Sequence, residues 1–227
     1  MSKILYLCLS VVVLAISISV HETAHACAAY FLGDDTARAR GRVSLNPLDH
    51  IDPFGTVLLP LIMLLAGGPI FAFAKPVPIF VNKLKNPQRD EVLIALAGPL
   101  SNILLAVLGA IIYGIVLHMS PITQGLASWT TISYVVYFFS TFISVNLSLA
   151  FFNLIPLPPL DGSSIVRPFL HGDALQTYYK IQQYSMPILI IGLCILPYVF
   201  HIDLISIYFK FTVDPFYNLL VNFALSL

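Results

Sequence analysis

This sequence contains few charged residues. Only 10% of its 227 residues are charged, whereas 58% are hydrophobic and the mean hydropathy is +0.89. That balance excludes an ordinary soluble domain and favours a chain that lies in a bilayer. Acidic and basic residues number 11 each, and no basic stripe indicates a nucleic-acid partner. We therefore expect an all-α polytopic membrane protein with one membrane-embedded domain over residues 1–227.

Cysteine is also scarce. Cys8, Cys27 and Cys194 form no CxxC pair, and all three lie in or beside apolar segments. An odd count without paired spacing predicts neither a disulfide framework nor a thiolate metal site. We interpret these residues as small buried hydrophobic side chains.

Long apolar runs are abundant. Five of them lie at about 4–32, 56–74, 92–119, 132–156 and 187–209. A final apolar stretch, 216–227, has 12 residues, short of the roughly 20 that a spanning helix needs. We expect that stretch to pack on the bundle or to lie in the membrane interface.

Basic residues orient the predicted spans. They cluster after the first run, before the third and after the fourth, at Arg38, Arg40, Arg42, Lys75, Lys83, Lys85, Arg89, Arg167 and Lys180. The positive-inside rule makes these ends cytoplasmic and puts the uncharged loop 120–131 on the other side. It also places the N-terminus outside, with runs one, three, four and five crossing.

The second apolar run has basic residues on both flanks, so it should cross an even number of times or not at all. Its 19 residues, broken by Gly67-Gly68-Pro69, are too few for two crossings. We predict a re-entrant hairpin at about 56–80, with its backbone covered by protein or facing a water-filled cavity. An ordinary spanning helix is the alternative, since the charge rule is approximate.

A polar motif, His21-Glu22-Thr23-Ala24-His25, interrupts the first apolar run. On a helix both imidazoles project from one face and can share a zinc ion, while Glu22 takes a proton from water at the metal. Ionisable groups at membrane depth are costly and usually functional. The alternatives are a coincidental match and a signal peptide cleaved at an A-x-A site, but apolar residues continue to Leu32.

A catalytic zinc usually has three protein ligands, so the pentad leaves one to be found. Asp161 ends the fourth run on the pentad's predicted side, after a proline-rich stretch that breaks the helix. Unwound backbone at membrane depth is tolerated where it lines a site. The other candidates are wrong-sided or lie in the cytoplasmic connection: His118, His201, Asp203, His171 and Asp173. Asp161 is therefore the best third ligand.

Three motifs, taken together, resemble the site-2 protease family of intramembrane metalloproteases. They are HExxH at 21–25, Ala97-Gly98-Pro99-Leu100, and Phe152-Asn153-Leu154-Ile155-Pro156 followed by Asp161-Gly162. The resemblance covers the family's three-helix catalytic core, here at about 4–33, 91–119 and 131–162. It implies a single membrane-embedded metalloprotease domain. Asp-Gly-Ser-Ser stands where many members have Asp-Gly-Gly, which retains the ligand.

The resemblance also implies roles for individual residues. Zn2+ would be held by His21, His25 and Asp161, with Glu22 as general base. Asn153 would position the substrate or donate a hydrogen bond to the oxyanion. The substrates would be membrane proteins cut in or near their transmembrane segments. The small chain favours a prokaryotic plasma membrane, with the site towards the cytoplasm.

Several alternatives stay open at this point. A catalytically silent relative, or a zinc-binding membrane scaffold or transporter, would use the same fold, although Glu22 is retained here. The sequence does not indicate the oligomeric state. Two interpretations apply to Asp49, His50 and Asp52. They could form a regulatory metal site or gate, but we favour a turn at the membrane surface. Asn102 and Asn146, in the third and fourth apolar runs, either flank the catalytic pocket or form interhelical hydrogen bonds.

Overall fold

A computed structural model describes residues 3–58, 74–123 and 129–227, and its regular structure within these ranges is helical. The α-helices there are α1 (Lys3–Phe31), α2 (Thr36–Ala39), α3 (Pro87–Thr123), α4 (Trp129–Asn153), α5 (Asp161–Val166), α6 (Gly172–Gln183), α7 (Ser185–Ile190), α8 (Leu196–Phe200) and α9 (Leu204–Ser226). Short 3-10 helices cover Pro47–His50, Val81–Lys83 and Arg167–Phe169, and π-helical turns cover Pro53–Leu58 and Ile191–Ile195. The predicted all-α class is confirmed.

Among the described residues, three helices are long and apolar enough to cross a bilayer on their own: Lys3–Phe31, Pro87–Met119 and Ile132–Asn153. The 29 residues of α1 extend about 44 Å at 1.5 Å per residue, which exceeds a hydrocarbon core of roughly 30 Å. Large apolar side chains such as Leu7 and Leu104 are exposed on these helices, as lipid contact requires. The prediction of three core helices is confirmed to the extent that each is a candidate membrane span.

The three spans pack against one another, and small residues bring α3 close to α4. Ala106 and Ala110 of α3 are fully buried against Ile143 and Leu147 of α4. Because lipid is as apolar as these side chains, close van der Waals packing rather than the hydrophobic effect favours this contact. The contact fixes the relative position of two of the three helices that build the site.

Charged residues join the connections at one end of the bundle. Lys83 Nζ lies 2.7 Å from Asp35 Oδ1, which links the chain entering α3 to the chain leaving α1. Arg167, which follows α5, forms an ion pair with Glu91 of α3. The C-terminal end of α1, the start of α3 and the segment after α4 therefore meet at one end, as the charge pattern predicts.

The hairpin predicted at about 56–80 lies largely outside the described residues, which omit 59–73. The chain on either side of that gap is held together by Arg42. Its guanidinium donates to the carbonyl oxygen of Asp49 and, at 2.5 Å, to that of Lys75. The hairpin itself stays a prediction.

The fifth apolar run is divided between two helical segments. Sequence predicts one span over 187–209, but α8 ends at Phe200 and His201 takes a left-handed backbone with φ 55°. The Asp203 carboxylate then accepts the N–H of Ser206 and caps the start of α9. The prediction of one continuous fifth crossing is therefore wrong. In the described residues, a further candidate span forms only if α6 and the helical stretch 185–200, bent by 65°, count together.

The last helix, α9, packs along α3 and α4. Near its start, the Tyr208 hydroxyl donates to the Phe151 carbonyl at 3.0 Å. Near its end, the backbone of Ala224 lies against Gly114 of α3. The helix therefore runs antiparallel to α4, and the final apolar stretch packs on the bundle, which was one of its two predicted placements.

Candidate metal centre

The two histidines of the pentad lie one helical turn apart on α1, on the face that packs against α3. Both side chains are buried, and their ring centroids are 4.7 Å apart. The Nε2 atoms are only 3.1 Å apart. Helix periodicity alone aligns the two side chains, so this half of the site follows directly from the spacing HExxH.

Asp161 reaches the histidines because α4 stops at Asn153. The chain then turns through 154–160, where prolines remove backbone donors, and α5 begins at Asp161. Asp161 Oδ2 lies 3.1 Å from His21 Nε2, and Oδ1 lies 3.3 Å from His25 Nε2. Within the described ranges, these three residues form the single group of His, Cys, Asp or Glu whose ligand atoms lie within 4.8 Å of one another.

The other nitrogen of each imidazole faces an acceptor. His21 Nδ1 lies 2.6 Å from Asn102 Oδ1, and His25 Nδ1 lies 2.7 Å from the Ile94 carbonyl oxygen. Both acceptors require a proton on Nδ1, which leaves the Nε2 lone pairs free. Two nitrogen lone pairs and a carboxylate therefore converge on one small volume.

This donor set fits a zinc ion. Zinc bonds of about 2.0–2.2 Å at tetrahedral angles place neighbouring donor atoms about 3.3–3.6 Å apart, close to the distances of 3.1 to 3.3 Å found here. With the imidazole proton on Nδ1, His21 Nε2 offers no proton to the buried Asp161 Oδ2 3.1 Å away, and this oxygen has no other hydrogen-bond donor among the described residues. An unpaired, buried carboxylate oxygen beside two imidazole lone pairs is costly without a cation.

Gly98 of α3 lies directly against both imidazoles. A Cβ at this position would overlap His25 Nε2 and would lie 2.6 Å from His21 Cε1. Gly162, next to the carboxylate ligand, is equally restricted, since its Cβ would come within 2.5 Å of the Ile155 carbonyl oxygen. Two glycines thus let backbone approach the ligands more closely than any side chain permits.

The sequence comparisons agree with this geometry. The model of peptidase family M50 matches residues 9–134 and 116–196, which is most of the chain and includes His21, His25 and Asp161. The chain belongs to peptidase family M50. This is the site-2 protease family, and membership makes the protein a zinc metalloprotease by class.

Individual M50 relatives are bacterial. YwhC of Bacillus subtilis, a proposed zinc metalloprotease, is 38% identical over 196 residues, which covers 84% of each chain. Rip2 of Mycolicibacterium smegmatis, also a proposed zinc metalloprotease, is 26% identical over 77% of this chain and 62% of its own length. Rip2 of Mycobacterium tuberculosis H37Rv is similar to the same degree, at 26% identity. No solved structure matches the chain significantly.

The two remaining predicted site residues of this M50 chain flank the three ligands in sequence. Glu22 directly follows His21 and is partly buried. Asn153 is the last residue of α4, and its side-chain amide donates to the Leu149 carbonyl at 3.0 Å. The structure gives no contact between Asn153 and the three ligands among the described residues. Its catalytic role therefore remains a prediction.

The stretch containing Asp49, His50 and Asp52 forms a turn. Asn46 and Asp52 accept backbone N–H groups within it, as the favoured prediction requires. His50 is buried, and its Nε2 lies 2.7 Å from the Ser44 carbonyl oxygen. In the described parts of the chain, none of these three residues belongs to a group of side chains that could hold a metal ion.

The site also uses residues that sequence analysis did not assign to it. Ile94 contributes a backbone carbonyl and Gly98 contributes the absence of a side chain, and neither has a chemical signature in a sequence. Gly98 does stand in the motif Ala97-Gly98-Pro99-Leu100, which was a usable signal. Asn102 had two interpretations, and both hold: it bonds across helices, and one of its partners is the candidate ligand His21.

Proposed function

We propose that this protein is an intramembrane zinc protease that hydrolyses peptide bonds in or near transmembrane segments of membrane proteins. The observation that carries the proposal is the convergence of His21, His25 and Asp161 where the ends of candidate membrane spans meet. Each ligand is buried or partly buried, and each nitrogen ligand has its second nitrogen hydrogen-bonded. Catalytic zinc sites have this composition of three protein ligands and one open position.

The residues around the ligands supply the remaining chemistry. Zinc, when bound, lowers the pKa of water towards 7 and polarises the scissile carbonyl. Glu22 accepts the proton of the attacking water and passes it to the leaving amine. The Asn153 amide has a second N–H beyond the one bonded to Leu149, and this N–H donates to the carbonyl oxygen as negative charge develops.

The substrate class follows from the position of the site. A transmembrane helix satisfies its backbone hydrogen bonds internally, so it must unwind locally before its peptide bond can be attacked. The turn 154–160 brings irregular backbone next to Asp161, beside which an unwound substrate segment could be accommodated. We therefore place the scissile bond within or at the edge of a transmembrane segment.

We also propose that the site faces the cytoplasm of a prokaryotic plasma membrane. The basic clusters of the sequence lie at the end of the bundle where the ligands converge. Such clusters favour the cytoplasmic side of a membrane. The relatives named above are bacterial.

Replacement of Glu22 tests the proposal. In proteoliposomes that hold a model single-span substrate, Glu22→Gln should slow cleavage by about 10²- to 10⁴-fold, because general base catalysis is lost. Zinc content, measured by elemental mass spectrometry, should stay at the wild-type value, because Glu22 is not a ligand. Products are identified by mass spectrometry.

Glu91→Gln is the matched control, because Glu91 pairs with Arg167 and is not one of the three candidate ligands. It should cleave the substrate at nearly the wild-type rate. Unchanged cleavage by Glu22→Gln would overturn the protease mechanism. A wild-type protein that holds zinc but cleaves nothing would favour the silent relative or the zinc-binding scaffold.

A further inference from the structure

We propose that Asn146 of α4 is a positioning residue for the candidate metal ligand His21, and that it acts through Asn102 of α3. The inference rests on the metal site of the proposed function and connects a buried side chain of α4 to one of its ligands. Both asparagines are fully buried in the region of the bundle where α1, α3 and α4 meet.

The contacts form a continuous chain across the three helices. Asn146 Nδ2 donates to the Phe142 carbonyl at 2.9 Å, and Asn146 Oδ1 accepts from Asn102 Nδ2 at 2.8 Å. Asn102 Nδ2 also donates to the Ser17 carbonyl at 3.2 Å. Asn102 Oδ1 then accepts from His21 Nδ1 at 2.6 Å.

The donor and acceptor roles along this chain of hydrogen bonds are fixed by the backbone carbonyl at its far end. A backbone carbonyl only accepts, so Phe142 requires the amide nitrogen of Asn146 and turns Oδ1 towards Asn102. Asn102 must then present its own nitrogen to Asn146, which turns its oxygen towards His21. That oxygen requires a proton on His21 Nδ1 and so leaves Nε2 free for a metal. Each amide orientation thus determines the next.

A comparison of the two histidines explains why His21 needs such a chain. The acceptor for His25 Nδ1 is the Ile94 carbonyl, a backbone group that cannot rotate. The acceptor for His21 is an amide side chain, which offers either oxygen or nitrogen depending on its rotamer. A reversed Asn102 would face His21 with a donor and favour the wrong tautomer. Asn146 opposes that reversal because its oxygen needs a donor, and it does so at a shorter distance than the Ser17 carbonyl, which accepts from the same nitrogen.

The test compares the zinc affinity of the full-length wild type with that of Asn146→Leu, by competition with a chromogenic chelator in detergent. Loss of an outer hydrogen-bond partner commonly weakens metal affinity about 10- to 100-fold, and we expect a loss in that range. Asn146→Asp keeps an acceptor towards Asn102, so it should restore affinity to within a few-fold of wild type. If the leucine variant does not fold, Asn146→Asp tests the proposal by itself. A zinc affinity of Asn146→Asp that is about 10- to 100-fold below the wild-type value would contradict the proposal.

Ser10→Ala is the matched control. Ser10 Oγ lies 2.9 Å from the Tyr137 hydroxyl, another polar contact between α1 and α4, but without a connection to the ligands. If Asn146 only joins helices, both changes should alter thermal stability and neither should alter zinc affinity. Equal zinc affinity for wild type and Asn146→Leu would therefore overturn the proposal. Failure of the wild type to bind zinc at all would instead contradict the proposed function, so the two failures are distinguishable.

Discussion

At the scale of single residues, the metal centre depends as much on a missing side chain as on the ligands. Gly98 brings the backbone of α3 against the two imidazoles, and the space for a methyl group there is already filled by His21 and His25. Gly192, by contrast, has no atom within 4 Å of the position its Cβ would take. The two glycines therefore separate a steric requirement of the site from the general effect of a Gly-to-Ala change in a helix.

We expect Gly98→Ala to weaken zinc binding. Forcing a methyl group into filled space costs about 1–3 kcal/mol, which corresponds to roughly 5- to 150-fold in affinity if the ligands take the displacement. Chelator competition measures this, and Gly192→Ala should retain wild-type affinity. Wild-type affinity in Gly98→Ala would show that the imidazoles are not held against α3.

How far the sequence predicts the site depends on the kind of atom involved. His21, His25 and Asp161 could be identified because rare ionisable side chains in apolar surroundings need a reason to be there. The contacts of Ile94 and Gly98 could not, since backbone atoms have no residue identity and close approach exists only in three dimensions. Sequence therefore predicts the ligands better than it predicts what orients them.

At the scale of elements, the connection between α1 and α3 depends on one buried carboxylate. Asp34 Oδ1 accepts the N–H of Thr36 at 3.0 Å, and Oδ2 accepts the N–H of Phe80 at 2.6 Å. Burial raises the pKa of Asp34, but the hydrogen bonds from Phe80 and Thr36 outweigh burial and hold its pKa below the ordinary value. The ionised form therefore ties the chain before α3 to the end of α1.

This lowered pKa predicts an acid-sensitive contribution to stability. Stabilisation by Asp34 should be complete above the ordinary carboxyl pKa of about 3.9 and should be lost as the pH falls through the lower folded value. Asp34→Asn should cost about 1–3 kcal/mol at pH 7 and progressively less below about pH 3.9. Thermal unfolding in detergent across this pH range measures the difference.

The exposed Asp173→Asn variant controls for general effects of charge and should differ little from wild type. If the gap between wild type and Asp34→Asn were the same at pH 7 and pH 3, the ionised carboxylate would not be the source of the stabilisation. Other groups titrate in the same range, but they do so in both proteins and cancel in the difference.

The helices themselves were predictable to unequal degrees. Long apolar runs in lipid have few forms other than a helix, so hydropathy is sufficient for α1, α3 and α4. It fails at the junction of α8 and α9, because apolar residues continue on both sides of it. The usable signal was Asp203, a good N-cap residue, but a hydropathy average does not register capping. The bounds of α9 therefore came from the structure.

At the scale of the whole molecule, the arrangement of the helices predicts on which side of the bundle the C-terminus lies. The chain leaving α1, the start of α3 and the segment after α4 share one end, joined by the ion pairs Lys83–Asp35 and Arg167–Glu91. From that end α9 runs along the bundle and ends beside the later part of α3. The C-terminus should therefore lie on the opposite side from the metal centre.

Site-directed labelling tests this arrangement as a whole. In a background without native cysteines, we expect Ala39→Cys and Asp173→Cys, both at exposed positions, to react with a membrane-impermeant maleimide in inverted vesicles. Ser226→Cys, also exposed, should react in right-side-out vesicles instead.

Labelling of Ala39 and Asp173 from opposite sides would overturn the prediction that these two positions lie at the same end of the bundle. Labelling of Ser226 from the same side as Asp173 would contradict the predicted position of the C-terminus. Reaction of the first pair only in right-side-out vesicles would keep the fold but place the metal centre outside the cytoplasm.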